Sequence, residues 1–209
     1  DVLAAGGNAV DAAIATGFAL AVTHPTAGNI GGGGFMVIRF PNGRTTALDF
    51  REKAPLAAHP EMWLDENGEY SSDLHHQSHM AVGVPGTVAG FAAAHERWGR
   101  LPWADLVEPA VRLARDGFVV TPDLAESLRD VLPDLARYPA SVAAYSKAGT
   151  PYETGEVMRL PDLARTLERI RDHGRDGFYL GETARLLVAE MERGGGLITA
   201  EDLRRYEAE

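Results

Sequence analysis

The sequence predicts an α+β fold in which one β-hairpin lies within a mostly helical chain. Two runs rich in β-branched and aromatic residues, 35–40 and 45–51, flank Asn42-Gly43, and Asn-Gly is a strong hairpin-turn signal. Apolar residues at helical spacing precede and follow this pattern. The chain has 209 residues, of which 45% are hydrophobic and 24% charged, as in ordinary globular proteins rather than disordered ones. We expect a single domain over residues 1–209.

Residues 7–23 predict the first helix, because Val10, Phe18 and Val22 belong to one apolar stripe. Its apolar character indicates burial on most sides, and Pro25 follows its end. Five later segments also have helical spacing with Gly or Pro at a boundary: 87–98, 103–115, 123–131, 161–171 and 182–192. Residues 199–202 have the pattern of a capped helix start, and the chain stops soon after, so we expect a piece of a longer protein.

The hairpin places polar side chains beside each other at the end of its second strand. Alternation puts Thr46, Leu48 and Phe50 on one face, and Asp49 and Arg51 on the other, together with Thr45 and Ala47. The turn is predicted to be type I′, which requires positive φ at both Asn42 and Gly43.

Composition excludes several classes of function. The chain has 20 Lys+Arg and 30 Asp+Glu, a net charge of −10, which disfavours a nucleic-acid partner held by bulk electrostatics. It has no cysteine, which excludes disulfides, Cys-ligated metals and a cysteine nucleophile. Residues 12–22 form the longest apolar region and are too short for a membrane span.

Two motifs are weak candidates for a site. The glycine-rich segment 28–34 lacks the features of a phosphate-binding or dinucleotide-binding loop, so we interpret it as a close approach of two backbones. His75 and His79 are four residues apart, as zinc ligands on a helix would be, but no acidic third ligand has matching spacing. Gln77-Ser78 favours a loop, and we interpret the histidines as a surface or loop cluster.

Arg51 is the best candidate for binding a ligand. A guanidinium at a strand end can offer two parallel donors to a carboxylate. The alternative is an ion pair with Asp49 or Glu52 on a solvated rim, and the charge pattern alone favours that alternative.

Five segments, taken in order, resemble the γ-glutamyltranspeptidase family of N-terminal nucleophile hydrolases. They are Gly-Gly-Asn-Ala-Val-Asp-Ala-Ala at 6–13, the stretch 23–36, Leu-Asp-Phe-Arg-Glu-Lys-Ala-Pro at 48–55, Val-Pro-Gly-Thr-Val-Ala-Gly at 84–90, and 195–203. The resemblance implies an αββα four-layer sandwich, with the hairpin in its central sheets and residues 7–23 packed on them. It also implies that Arg51 binds the α-carboxylate of a γ-glutamyl substrate such as glutathione, without a metal or other cofactor.

By the same resemblance, a precursor cuts itself into a large and a small subunit, and the new N-terminal threonine of the small subunit is the nucleophile. We expect this chain to be a portion of the large subunit that has no catalytic residue and is inactive alone, with the small subunit as its partner. Periplasmic or secreted localisation follows by analogy with bacterial relatives. A related acylase acting on glutaryl-β-lactams or poly-γ-glutamate, and a non-catalytic binding or structural subunit, are the alternatives.

Overall fold

A computed structural model describes residues 1–209. The ten α-helices are α1 Ala9–Thr23, α2 Ser72–Gln77, α3 Thr87–Trp98, α4 Trp103–Asp116, α5 Pro122–Leu135, α6 Pro139–Tyr145, α7 Pro161–His173, α8 Asp176–Tyr179, α9 Gly181–Gly194 and α10 Ala200–Arg205. The four strands are β1 Phe35–Arg39, β2 Thr45–Asp49, β3 Phe118–Val119 and β4 Val157–Met158, and a 3₁₀ helix covers His79–Ala81. The helices are all too short or too polar to cross a membrane.

The predicted helices form, and their ends follow from local capping. Helix α1 starts at Ala9 rather than at residue 7, because the side chain of Asn8 accepts hydrogen bonds from the main-chain N–H groups of Val10 and Asp11. Helix α3 has the predicted bounds, and α4, α5, α7 and α9 extend past the predicted ends. Helices α2, α6 and α8 have four to seven residues and were not predicted, because a pattern of one or two turns has too few apolar positions to reveal a period.

The predicted hairpin pairs β1 with β2, from Phe35 opposite Asp49 to Arg39 opposite Thr45. The type I′ prediction for its turn is wrong, because only Gly43 has a positive φ, at 82°. Three residues separate Phe40 from Arg44, and the N–H of Gly43 donates to the carbonyl of Phe40 at 2.9 Å. Pro41 suits this wider turn because its ring fixes a negative φ.

One hydrophobic cluster of 34 buried residues joins the helices to the hairpin. Helix α1 packs mainly on α4 and α3, and it is α3 that contacts β2. Phe91 of α3 lies edge-on to Phe18, at 5.1 Å between ring centroids, and to Phe50, at 5.7 Å. Helix α3 therefore supplies the principal contact with the hairpin, which differs from the expectation that α1 packs on it.

The opposite face of the hairpin is uncovered. Phe35 is 65% exposed and Val37 is 78% exposed. Arg51 follows β2 on this side, so the hairpin presents both apolar area and a cation to its surroundings.

Candidate functional site

Arg51 lies just beyond the end of β2, on the exposed side that strand alternation predicts. Its side chain is 60% exposed. The Nε atom lies 3.2 Å from Oε2 of Glu52, and the terminal nitrogens donate no hydrogen bond within the chain. The guanidinium carbon is 6.0 Å from the ring centroid of Phe35. The outer edge of the guanidinium is thus able to bind a planar anion.

Only one of the two predicted ion-pair partners pairs with the Arg51 side chain. Glu52 does so, and its Oε2 is buried without a hydrogen bond, so the adjacent cation offsets its charge. Asp49 instead accepts a hydrogen bond through Oδ1 from the main-chain N–H of Arg51, at 2.8 Å. The ion pair of the alternative interpretation is therefore present, and it is formed with Glu52 rather than Asp49, because the Asp49 carboxylate turns towards the backbone.

The glycine-rich segment passes against the main chain at Arg51. A Cβ atom on Gly33 would lie 2.4 Å from the carbonyl oxygen of Phe50 and 2.8 Å from Cα of Arg51. Gly34 and Phe50 exchange two main-chain hydrogen bonds, of 3.3 and 2.9 Å. These contacts agree with the interpretation of this segment as a close approach of two backbones.

A second glycine, at the start of α3, approaches the same place. The N–H groups of Gly86 and Thr87 donate to the carbonyl of Gly32, at 2.7 and 3.0 Å. The side-chain oxygen Oδ1 of Asn29 accepts from the N–H of Gly32 and the hydroxyl of Thr87, both at 2.8 Å. The glycine-rich segment, β2 and α3 are therefore joined directly beside Arg51.

Tyr206 is the residue of this site that sequence reasoning missed. Its hydroxyl donates to the main-chain carbonyl of Arg51 at 2.7 Å, and the residue is only 2% exposed. Burial, with the nearby carboxylates of Asp49 and Glu52, raises the pKa of Tyr206 to about 12, so it remains a donor at neutral pH. No local pattern could reveal this contact, because 155 residues separate the two partners.

The position of Tyr206 is itself supported by several contacts. Its ring stacks on that of Tyr179, with 5.8 Å between centroids and 13° between planes. Nη2 of Arg175 donates to its carbonyl at 2.7 Å. Next to it, Asp49 and Glu209 exchange main-chain hydrogen bonds of 2.6 and 2.8 Å, which holds the end of the chain against β2.

The histidines do not converge on one point. His75 lies on α2, so the expectation of a loop is wrong there, and its Nδ1 is 2.8 Å from the hydroxyl of Tyr70. His79 belongs to the 3₁₀ helix, and its Nε2 is 2.8 Å from Oε1 of Glu190 on α9. Each histidine has its own partner, so the pair does not form the zinc face that the spacing of four residues would allow.

Comparisons with known proteins place this geometry in context. The family model described as Gamma-glutamyltranspeptidase matches residues 1–209. The glutathione hydrolase proenzyme of Escherichia coli (strain K12) is 50% identical over 212 residues, which cover 100% of this chain and 36% of that protein. The chain thus spans about a third of the length of this relative.

Two solved structures share the fold. The Helicobacter pylori gamma-glutamyltranspeptidase superposes with a TM-score of 0.97 at 45% identity, covering 100% of this chain and 60% of that one. A cephalosporin acylase from Bacillus halodurans superposes with a TM-score of 0.86 at 32% identity, covering 100% of this chain and 40% of that one. The α+β architecture predicted from the sequence is therefore that of the N-terminal nucleophile hydrolases.

Proposed function

The chain belongs to the gamma-glutamyltranspeptidase family, and from that membership we propose that the protein of which it is part cleaves the γ-glutamyl amide of glutathione and related compounds. The γ-glutamyl group passes to the enzyme and then to water or an amino acid. The N-terminal threonine of the small subunit of the same precursor attacks the γ-carbonyl, with its own α-amine as base.

In this proposal Arg51 binds the α-carboxylate of the γ-glutamyl donor. The observation that carries it is the accessible guanidinium, which is paired with Glu52 through Nε while its terminal nitrogens make no hydrogen bond within the chain. Two parallel N–H donors match the two oxygens of a carboxylate. Holding the α-carboxylate fixes the distance from the head group to the γ-carbonyl, which helps to align that carbonyl with the nucleophile.

We also propose that the small subunit covers the exposed face of the hairpin. Phe35 and Val37 would then be buried, and the threonine would come close to Arg51. These 209 residues supply the carboxylate-binding arginine but not the nucleophile, so the chain alone is expected to be inactive.

A related acylase is the second candidate, favoured by the structural match to the cephalosporin acylase. An arginine at this position could equally hold the distal carboxylate of a glutaryl amide, which differs from a γ-glutamyl amide by lacking the α-amine. A non-catalytic binding or structural subunit is the third candidate, because it would need no nucleophile.

The test of the main proposal is Arg51→Lys in the complete protein, with glutamate release from glutathione as the readout. A single ammonium replaces the two-donor guanidinium, so we expect KM to rise about tenfold or more while kcat changes little. Arg129→Lys is the matched control, because Arg129 is exposed on α5 and forms no ion pair. An unchanged KM in the Arg51 variant would contradict the assignment.

The alternatives are separated in the same assay. Faster turnover of glutaryl amides than of glutathione would favour the acylase, and turnover of neither substrate by the complete protein would favour the non-catalytic subunit. The 209-residue chain alone should release no glutamate.

A further inference from the structure

We propose that Tyr206 and Asp49 are positioning residues that together clamp the main chain of Arg51. Tyr206 donates its hydroxyl to the Arg51 carbonyl at 2.7 Å, and Asp49 accepts the Arg51 N–H through Oδ1 at 2.8 Å. This inference rests on the proposed role of Arg51 in binding the substrate carboxylate.

The clamp is needed because Arg51 lies outside the β-ladder. Pairing of the strands ends with Phe35 opposite Asp49, and the last exchange of main-chain hydrogen bonds is that between Gly34 and Phe50. Beyond that point no neighbouring strand pairs with the backbone N–H and carbonyl of Arg51. Side chains form hydrogen bonds with these two groups instead. Arg51 thus lies between the Gly34–Phe50 pair and the isolated bridge of Lys53 to Val84, and without these side-chain bonds its own two backbone polar groups would have no partner within the chain.

Tyr206 can reach Arg51 only because residue 86 is glycine. A Cβ at Gly86 would lie 2.2 Å from the Tyr206 hydroxyl oxygen and 2.0 Å from the Phe50 carbonyl. The glycine thus makes room for a bond between the last turn of the chain and the end of β2. The tyrosine is buried, stacked and anchored at its carbonyl, so it is a rigid support rather than a mobile one.

The clamp restrains where the guanidinium can go. Fixing both backbone polar groups of Arg51 sets the direction of its Cα–Cβ bond, and the Glu52 carboxylate lies 3.2 Å from Nε as its ion-pair partner. A small change in the direction of this bond would move the guanidinium much further than it moves Cβ, because the guanidinium lies at the end of a long side chain. Loss of the clamp is therefore expected to weaken substrate binding while leaving the attacking group untouched.

The primary experiment is Tyr206→Phe in the complete protein, since this change keeps the stacked ring and removes only the hydroxyl. We expect KM for glutathione to rise threefold to tenfold, with kcat within twofold of the unsubstituted protein. Tyr138→Phe is the matched control, because its hydroxyl also donates to a main-chain carbonyl, that of Gln77, away from Arg51. An equal rise of KM in both variants, or no rise in Tyr206→Phe, would overturn the proposal.

A second readout separates positioning from a general loss of structure. The same variants are assayed with a γ-aminobutyryl amide, which lacks the α-carboxylate. The preference is the ratio of kcat/KM for the γ-glutamyl donor to kcat/KM for this analogue. If Tyr206 positions Arg51, Tyr206→Phe should lower this ratio. Structural damage would instead lower kcat/KM for both donors equally and leave the ratio unchanged. Asp49→Ala should act in the same direction, and it keeps the test usable if Tyr206→Phe does not fold. The clamp proposal would be overturned if this ratio were unchanged in Asp49→Ala and in any Tyr206→Phe sample that folds.

Combining the changes distinguishes failure of this inference from failure of the proposed function. In an Arg51→Lys background, Tyr206→Phe should add less than a twofold change in KM, because the group that it positions has already been altered. If Arg51→Lys raises KM but Tyr206→Phe does not, only the clamp is wrong. If Arg51→Lys itself has no effect, the role of Arg51 and the clamp fail together.

Discussion

Gly33 lies under the main chain of Phe50 and Arg51 with no room for a side chain. Gly33→Ala would place a methyl group 2.4 Å from the Phe50 carbonyl oxygen, which is backbone and cannot move aside cheaply. We expect a loss of about 2 kcal/mol in the free energy of unfolding, as is typical of overpacking, and a raised KM through displacement of Arg51. Chemical unfolding of the complete protein measures the free energy of unfolding, and the glutathione assay measures KM.

Gly31→Ala in the same glycine-rich segment is the control. No atom lies within 4 Å of a Cβ at Gly31, and its φ is not in the positive range. The free energy of unfolding of that variant should stay within about 1 kcal/mol of the value for the unsubstituted protein, because the added methyl group meets open space. Equal stability of the two variants would contradict the close approach of the backbones.

At the residue scale, sequence patterns located Arg51 but not the groups that hold it. Alternation along β2 is a local rule, so it placed Arg51 on the exposed face correctly. The partners of its main chain are a tyrosine near the other end of the chain and a carboxylate two residues away that could equally have faced the guanidinium. Charge alone does not choose between those two orientations of Asp49.

At the scale of elements, an ionic contact joins α9 to the 3₁₀ helix His79–Ala81. Hydrogen bonds from Arg193 and then from His79 lower the pKa of Glu190 from 4.5 to about 2. A carboxyl with a lowered pKa in the folded state adds stability above its unfolded pKa, and this is lost as pH falls from about 4.5 towards 2. Because the larger cause is Arg193 on the same helix, acid should weaken this pair within α9 as well as the contact of Glu190 with His79.

Glu190→Gln tests this contact. Between pH 5 and pH 3, the unfolding temperature of the variant should fall less than that of the unsubstituted protein, because the amide has no charge to lose. Glu192→Gln, on the same helix but in no ion pair, should keep the original pH dependence. Parallel curves for Glu190→Gln and the unsubstituted protein would show that Glu190 does not contribute.

Elements of three or more turns were predictable because their apolar period repeats, as in α3 and α4. The start of α10 was also predictable, since Thr199 and Asp202 form the capping box that their spacing indicates. The hairpin turn was mispredicted because Asn-Gly occurs in both two-residue and three-residue turns, and the closing pair Phe40–Arg44 decides between them.

For the whole molecule, the proposal that the small subunit covers the hairpin rests on the exposed outer face of that hairpin. The chain buries one large core, yet it leaves Phe35 and Val37 mostly exposed next to the candidate substrate-binding arginine. Sequence alternation predicted which residues of β2 lie on this face, but the positions of Phe35 and Val37 on it come from the structure. It could not show that the face is uncovered, because that depends on how all the helices pack on the opposite side.

Val37→Asp in the complete protein tests whether the small subunit covers this face. A charge buried against an apolar partner without a counter-ion is costly, so we expect weaker co-purification of the two subunits and less precursor cleavage on a denaturing gel. Val119→Asp is the matched control, because Val119 is also exposed in a short strand, at 61%, but belongs to the separate β3–β4 pair. Normal subunit association and cleavage in Val37→Asp would mean that this face stays in solvent, and would contradict the proposal that the small subunit covers it.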